Sequence, residues 1–72
     1  MRITYDAEAD AMSIVFQETT VTTKDLGDGI AAEFDRDGRL VGIEILDAAK
    51  RLGGQETLRQ VILEGIGLKV HA

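Results

Sequence analysis

Residues 35–48, DRDGRLVGIEILDA, constrain the fold more than any other stretch, because a turn signal, an apolar strand and a helix start follow one another without a gap. Asp37 and Gly38 can both take positive φ, as a two-residue hairpin loop requires if its twist is to match the strands it joins. Such a loop sets Ile30, Ala32 and Phe34 opposite Ile45, Ile43 and Val41, so that the apolar side chains of both strands share one face. Glu33, Gly42 and Glu44 fall on the other face together with Leu40 and Leu46. Asp47 is placed to cap a helix over 47–52, Lys50 and Arg51 suit its negative end, and Gly53 can close it in a left-handed conformation.

The rest of the chain is arranged around this block. Arg2–Tyr5 and Ala11–Phe16 alternate as strands, and pairing Ile3 with Ile14 and Tyr5 with Met12 aligns their apolar residues. Residues 17–29 are polar and threonine-rich and read as a long connection. Thr19–Thr23 can add a short edge strand there, guarded by Lys24, and Gly27, Asp28 and Gly29 turn the chain into the next strand. In 55–64, Leu58, Val61 and Ile62 share a helical face, although Val61, Ile62 and Leu63 in succession equally fit a buried strand. Ile66, Leu68 and Val70 alternate with Gly67, Lys69 and His71 as an extended segment. The expected architecture is one α+β domain over residues 1–72. It is a four-stranded antiparallel β-meander with strands at about 2–5, 11–16, 30–35 and 40–46, followed by one or two short helices, 47–52 and 55–64, and an extended C-terminal segment.

Seventy-two residues lie near the lower limit for a self-sufficient core, and the lack of cysteine removes disulfides and thiolate zinc sites as staples. Burial against another chain is then the most accessible further source of stability, and a homodimer or other homo-oligomer is expected. The exposed apolar residues assigned to that interface are Leu40, Leu46, Ile66, Leu68 and Val70. Thirteen acidic against eight basic side chains give a formal charge of −5, which opposes binding to nucleic acid or to an anionic membrane and favours a basic protein partner. With neither a leader pattern nor an apolar run of membrane-spanning length, the expected location is cytoplasmic.

The strings YDAEADAMSI (Tyr5–Ile14) and DGRLVGIEILDAAKRL (Asp37–Leu52), joined by an LGDGI segment, resemble a family of short bacterial domains of unknown function. The resemblance covers about residues 3–52 and implies a β-sheet protein with a following helix. Because some members are encoded beside small toxin-like proteins, it also implies an antitoxin-type role with a small basic partner. Ser13 stands where the family usually has Tyr or Leu, and Ala49 where it often has Ser, so a hydroxyl is missing from the second place.

Asp6, Glu8 and Asp10 put carboxylates at alternate positions, as at the start of a calcium loop. Yet Ala11 occupies the glycine position and Gln17 the bidentate glutamate position, and solvation and turn capping by Asp6 account for these residues. They remain the only metal candidates. Glu33 and Glu44 share a predicted face and are a carboxylate pair of the kind that can divide acid and base duties, although a solvated face or an interface ion pair explains them more simply. His71 has no second histidine or cysteine to complete a metal site and reads as a tail residue. No nucleophile elbow, P-loop or HExxH is present, and no cofactor is expected. The residues therefore favour a non-enzymatic interaction or assembly module. The alternative is a small ligand- or metal-binding or hydrolytic domain that uses the first loop and the outer sheet face.

Overall fold

A computed structural model describes residues 1–66 of the chain. Among the described residues five strands form one antiparallel sheet: β1 (Arg2–Asp6), β2 (Ala11–Val15), β3 (Thr22–Asp25), β4 (Ile30–Phe34) and β5 (Leu40–Leu46), in the spatial order β1-β2-β5-β4-β3. A short helix, α1 (Ala48–Arg51), and a single 3-10 turn, Gln55–Leu58, follow. Among the described residues no helix is long and apolar enough to cross a membrane.

The first hairpin pairs as the alternation predicts, with Ile3 opposite Ile14 and Tyr5 opposite Met12. Ile30 opposite Ile45 and Ala32 opposite Ile43 follow the prediction too. The connecting turn differs. Gly38 N–H donates to the Asp35 carbonyl at 3.0 Å and Asp35 N–H to the Arg39 carbonyl at 2.9 Å, so the loop has three residues and only Gly38 among them takes positive φ, at 79°. Asp35 holds this turn by accepting the Asp37 and Arg39 amides on its carboxylate, each at 2.9 Å.

The sheet is not a four-stranded meander. The connection after β2 contains a fifth strand, Thr22–Asp25, displaced from the expected 19–23, and this strand pairs with β4 and takes the sheet edge. β4 is thereby occupied on both sides, and β2 pairs instead with β5, Ile14 opposite Ile43. Phe16–Val21, six residues with a reach of roughly 20 Å, pass the ends of β5 and β4, a span of about 14 Å at ordinary strand spacing.

A register shift makes that route: Glu33 pairs with Gly42 but Phe34 with Leu40, leaving Val41 as an extra, bulged residue. Its carbonyl accepts the Phe16 and Gln17 amides at 2.8 and 3.3 Å and steers the departing chain. The shift also sets Leu40 opposite Phe34 and removes it from the alternation that grouped it with Leu46.

Helical structure is shorter than expected. Over 55–64 only the 3-10 turn forms, and Val61, Ile62 and Leu63 are exposed. A short amphipathic helix depends on packing of its apolar face, and of Leu58, Val61 and Ile62 only Leu58 is half-buried. α1 does end as predicted: Gly53 has φ 93° and the Gly54 amide bonds the Ala49 carbonyl, a Schellman closure. From residue 67 onward, the expected extended segment with Leu68, Val70 and His71 lies outside the described residues.

Among the described residues the buried apolar side chains are Ala32, Val41, Ala48 and Ala49, and no large side chain is fully buried. The accessible area is 5884 Å² for 7.8 kDa, against about 4,400 Å² for a folded monomer of that mass. The radius of gyration, 13.8 Å, likewise exceeds the roughly 11 Å of a compact chain this long. With a smallest dimension of 17 Å, the molecule is essentially one sheet with its side chains.

Candidate interaction faces of the sheet

Strand pairing divides the side chains into two faces of different chemistry, because directly paired residues point to the same side. One face carries Ile3 and Tyr5 from β1, Met12 and Ile14 from β2, Ile43 and Ile45 from β5, Ile30, Ala32 and Phe34 from β4, and Thr22 and Lys24 from β3. None of these strand positions is a carboxylate. Of them only Ala32 is buried; Ile3 and Ile30 are exposed and the others half-buried or exposed.

The opposite face carries Asp6, Asp25, Glu33 and Glu44, one carboxylate from each strand except β2, together with Ser13, Gly42 and Leu46. Gly42 is needed there by its neighbour: a Cβ on it would stand 2.5 Å from Glu33 Oε1 and 3.3 Å from the Ile14 carbonyl. Glu33 thus lies across the glycine. Glu44 and Leu46 border two open hollows of about 290 and 210 Å³, one beside Asp28 and the other beside Asp6, and Glu33 lines neither of them. Small-molecule sites start at about 300 Å³ and enclose most of the ligand.

The first loop does not gather its carboxylates. Asp6 accepts the Glu8 and Ala9 amides at 3.0 and 3.2 Å, the turn capping its position predicts, while Glu8 stays exposed. Asp10 points away into a different task. With φ 50° it offers its backbone carbonyl to the Ala48 amide at 2.9 Å and its Oδ1 to the Ala49 amide at 2.8 Å. Tyr5 donates its hydroxyl to the same Oδ1 at 2.7 Å. Among the described residues no group of three His, Cys, Asp or Glu side chains is placed to hold a metal ion.

Asp10 thereby replaces Asp47 as the helix cap. Asp47 is itself left-handed, φ 53°, and makes no side-chain cap bond. The Ala49 amide, and after it the Tyr5 hydroxyl, hold the Asp10 carboxyl below its ordinary range, while the bond to Asp10 raises the Tyr5 hydroxyl. Asp35 is lowered as well, chiefly by the Arg39 amide. Arg51 completes the docking of α1, its Nε donating to the Leu46 carbonyl at 3.0 Å across Gly29, where a Cβ would lie 2.9 Å from the guanidinium. The Tyr5–Asp10 contact was missed from sequence. The signal available was a tyrosine five residues before an aspartate that ends a turn, where Asp tolerates positive φ.

Of the residues assigned to an interface, Leu40, Leu46 and Ile66 are exposed, Leu46 to 53%, and Leu68 and Val70 lie outside the described residues.

No curated protein and no solved structure matches the chain. The two sequence strings that carried the family resemblance, Tyr5–Ile14 and Asp37–Leu52, meet in space where Asp10 caps α1. A family model described as a protein of unknown function (DUF2283) matches residues 2–48, from β1 to the first residue of α1, and the chain belongs to that family.

Proposed function

We propose that this chain is a non-enzymatic assembly module, a bare sheet completed by other protein, first by a second copy of itself. The observation that carries the reading is the mismatch between a five-stranded sheet and a core of three alanines and a valine among the described residues. Apolar burial is the main favourable contribution to folding, and side chains this small supply little of it. Light scattering at low micromolar concentration tests the reading: an oligomer is expected, and a stable, folded monomer overturns it.

The acidic face favours a second partner, a small basic protein, with Asp6, Asp25, Glu33 and Glu44 supplying charge and Leu46 an apolar contact. Co-expression with the product of the neighbouring reading frame should give a salt-sensitive complex that weakens when these four carboxylates are replaced by amides. No complex, or one indifferent to their neutralisation, removes this partner. The alternative is a ligand- or metal-binding or hydrolytic domain that uses the first loop and the outer sheet face; Asp6 and Glu44 border one open hollow of about 210 Å³, and Glu33 lies outside it.

A further inference from the structure

The division of charge between the two faces decides which of them a second copy would meet. We infer that two chains stack through the face bearing Ile3, Ile14, Ile30, Phe34, Ile43 and Ile45, forming a two-sheet sandwich with both acidic faces outward. The inference rests on the self-assembly reading and adds the face and the partner. Three observations support it.

The first is chemical. That face carries no carboxylate among its strand positions, although the chain has thirteen acidic side chains and a net charge of −5. Stacking through the opposite face would set Asp6, Asp25, Glu33 and Glu44 against their own duplicates in a desolvated layer, where like charges repel most strongly. The second is area. The chain exposes about 1,500 Å² more than a compact monomer of its mass, part of it on residues 59–66, whereas a stable interface takes about 800 Å² from each partner. The third is shape. A footprint of 41 × 28 Å on a body 17 Å thick is one layer of a sandwich, and stacked sheets lie about 10 Å apart with their side chains interdigitated.

Adjacent residues on β5 provide a clean test, since Ile43 and Glu44 point to opposite faces and the chain has no cysteine of its own. Ile43→Cys and Glu44→Cys are treated with a short bis-maleimide at a concentration where the parent chain is dimeric. Covalent dimer is expected from Ile43→Cys and not from Glu44→Cys. In parallel, Ile14→Glu should weaken the dimer by at least about thirtyfold, the scale of a central interface residue, while Ser13→Glu on the other face leaves the mass unchanged. Circular dichroism verifies folding, and if Ile14→Glu does not fold, the cross-linking pair decides alone. Cross-linking through Glu44→Cys but not Ile43→Cys overturns the choice of face and leaves self-assembly standing. Failure of both variants to cross-link while the parent stays dimeric also overturns it, because the face is then covered by something other than a second copy, such as the chain's own residues 61–66. A monomeric parent removes both this inference and the reading beneath it.

Discussion

Asp10 caps the helix that begins at Ala48: its carboxylate oxygen lies 2.8 Å from the Ala49 amide although thirty-nine positions separate the two residues. A cap ordinarily comes from the residue just before the helix, and its side chain satisfies amides the helix cannot. Here the first hairpin supplies it, so formation of α1 depends on β1 and β2 being in place. Asp10→Ala should lower the thermal midpoint by several degrees and weaken amide-exchange protection at Ala48 and Ala49 specifically. Tyr5→Phe should do the same to a smaller extent. Uniform loss of protection across the sheet would contradict the local role.

Acid titration provides the second test. The folded carboxyls of Asp10 and Asp35 lie below the ordinary 3.8, so each contributes stability above that value and loses it as pH falls through the folded pKa. Unfolding should therefore become easier from about pH 5 downward. Asp10→Asn, which keeps an acceptor but does not titrate in this range, should flatten that limb. At the alkaline end the sign reverses: the folded Tyr5 hydroxyl is raised above 10.0, and its contribution is lost as pH rises through the folded value.

A third prediction concerns the turn at Gly38. A Cβ there meets no atom within 4 Å, so substitution is opposed by backbone conformation alone. Gly38→Ala should cost about 1 kcal/mol, and Gly38→Asn less, because asparagine enters the left-handed region more readily. Denaturant midpoints of the three proteins check the order.

Stability should depend on protein concentration. If two copies fold together, each tenfold increase in concentration adds about 1.4 kcal/mol per dimer, and the thermal midpoint rises accordingly. A midpoint that stays constant over a hundredfold range would count against assembly.

Much of the sheet could be read from residue order, because Ile3, Tyr5, Met12 and Ile14, or Ile30, Ala32, Ile43 and Ile45, can align their apolar sides in one register. What escaped was set by distance or by competition. The edge strand expected at Thr19–Thr23 lies at Thr22–Asp25 and is wholly exposed, so no apolar alternation fixes its bounds. That strand, once paired with β4, sends β2 to β5, a choice invisible in either strand alone. Asp47 satisfied every local criterion for a cap yet sits left-handed, because Asp10 reaches the same amides from another hairpin. The bulge at Val41 escaped for a related reason: its carbonyl serves the chain leaving β2, a demand that comes from outside its own hairpin. Alternation sets Glu33 and Glu44 on one face, but it does not show that Asp6 and Asp25, which read as connection residues, join them, and the bulge moves Leu40.

Among the described residues β5 is the last strand made, and it lies at the centre of the sheet, flanked by β2 and β4. During synthesis the first hairpin therefore waits, with Met12 and Ile14 lacking their neighbours Ile45 and Ile43, until Leu40–Leu46 leaves the ribosome and joins the two halves. A chain interrupted before residue 40 would have two separate hairpins and no common sheet, and isolated two-stranded ribbons hold together poorly in water. Truncated products of this gene should accordingly behave as unstructured peptides and be cleared by proteolysis.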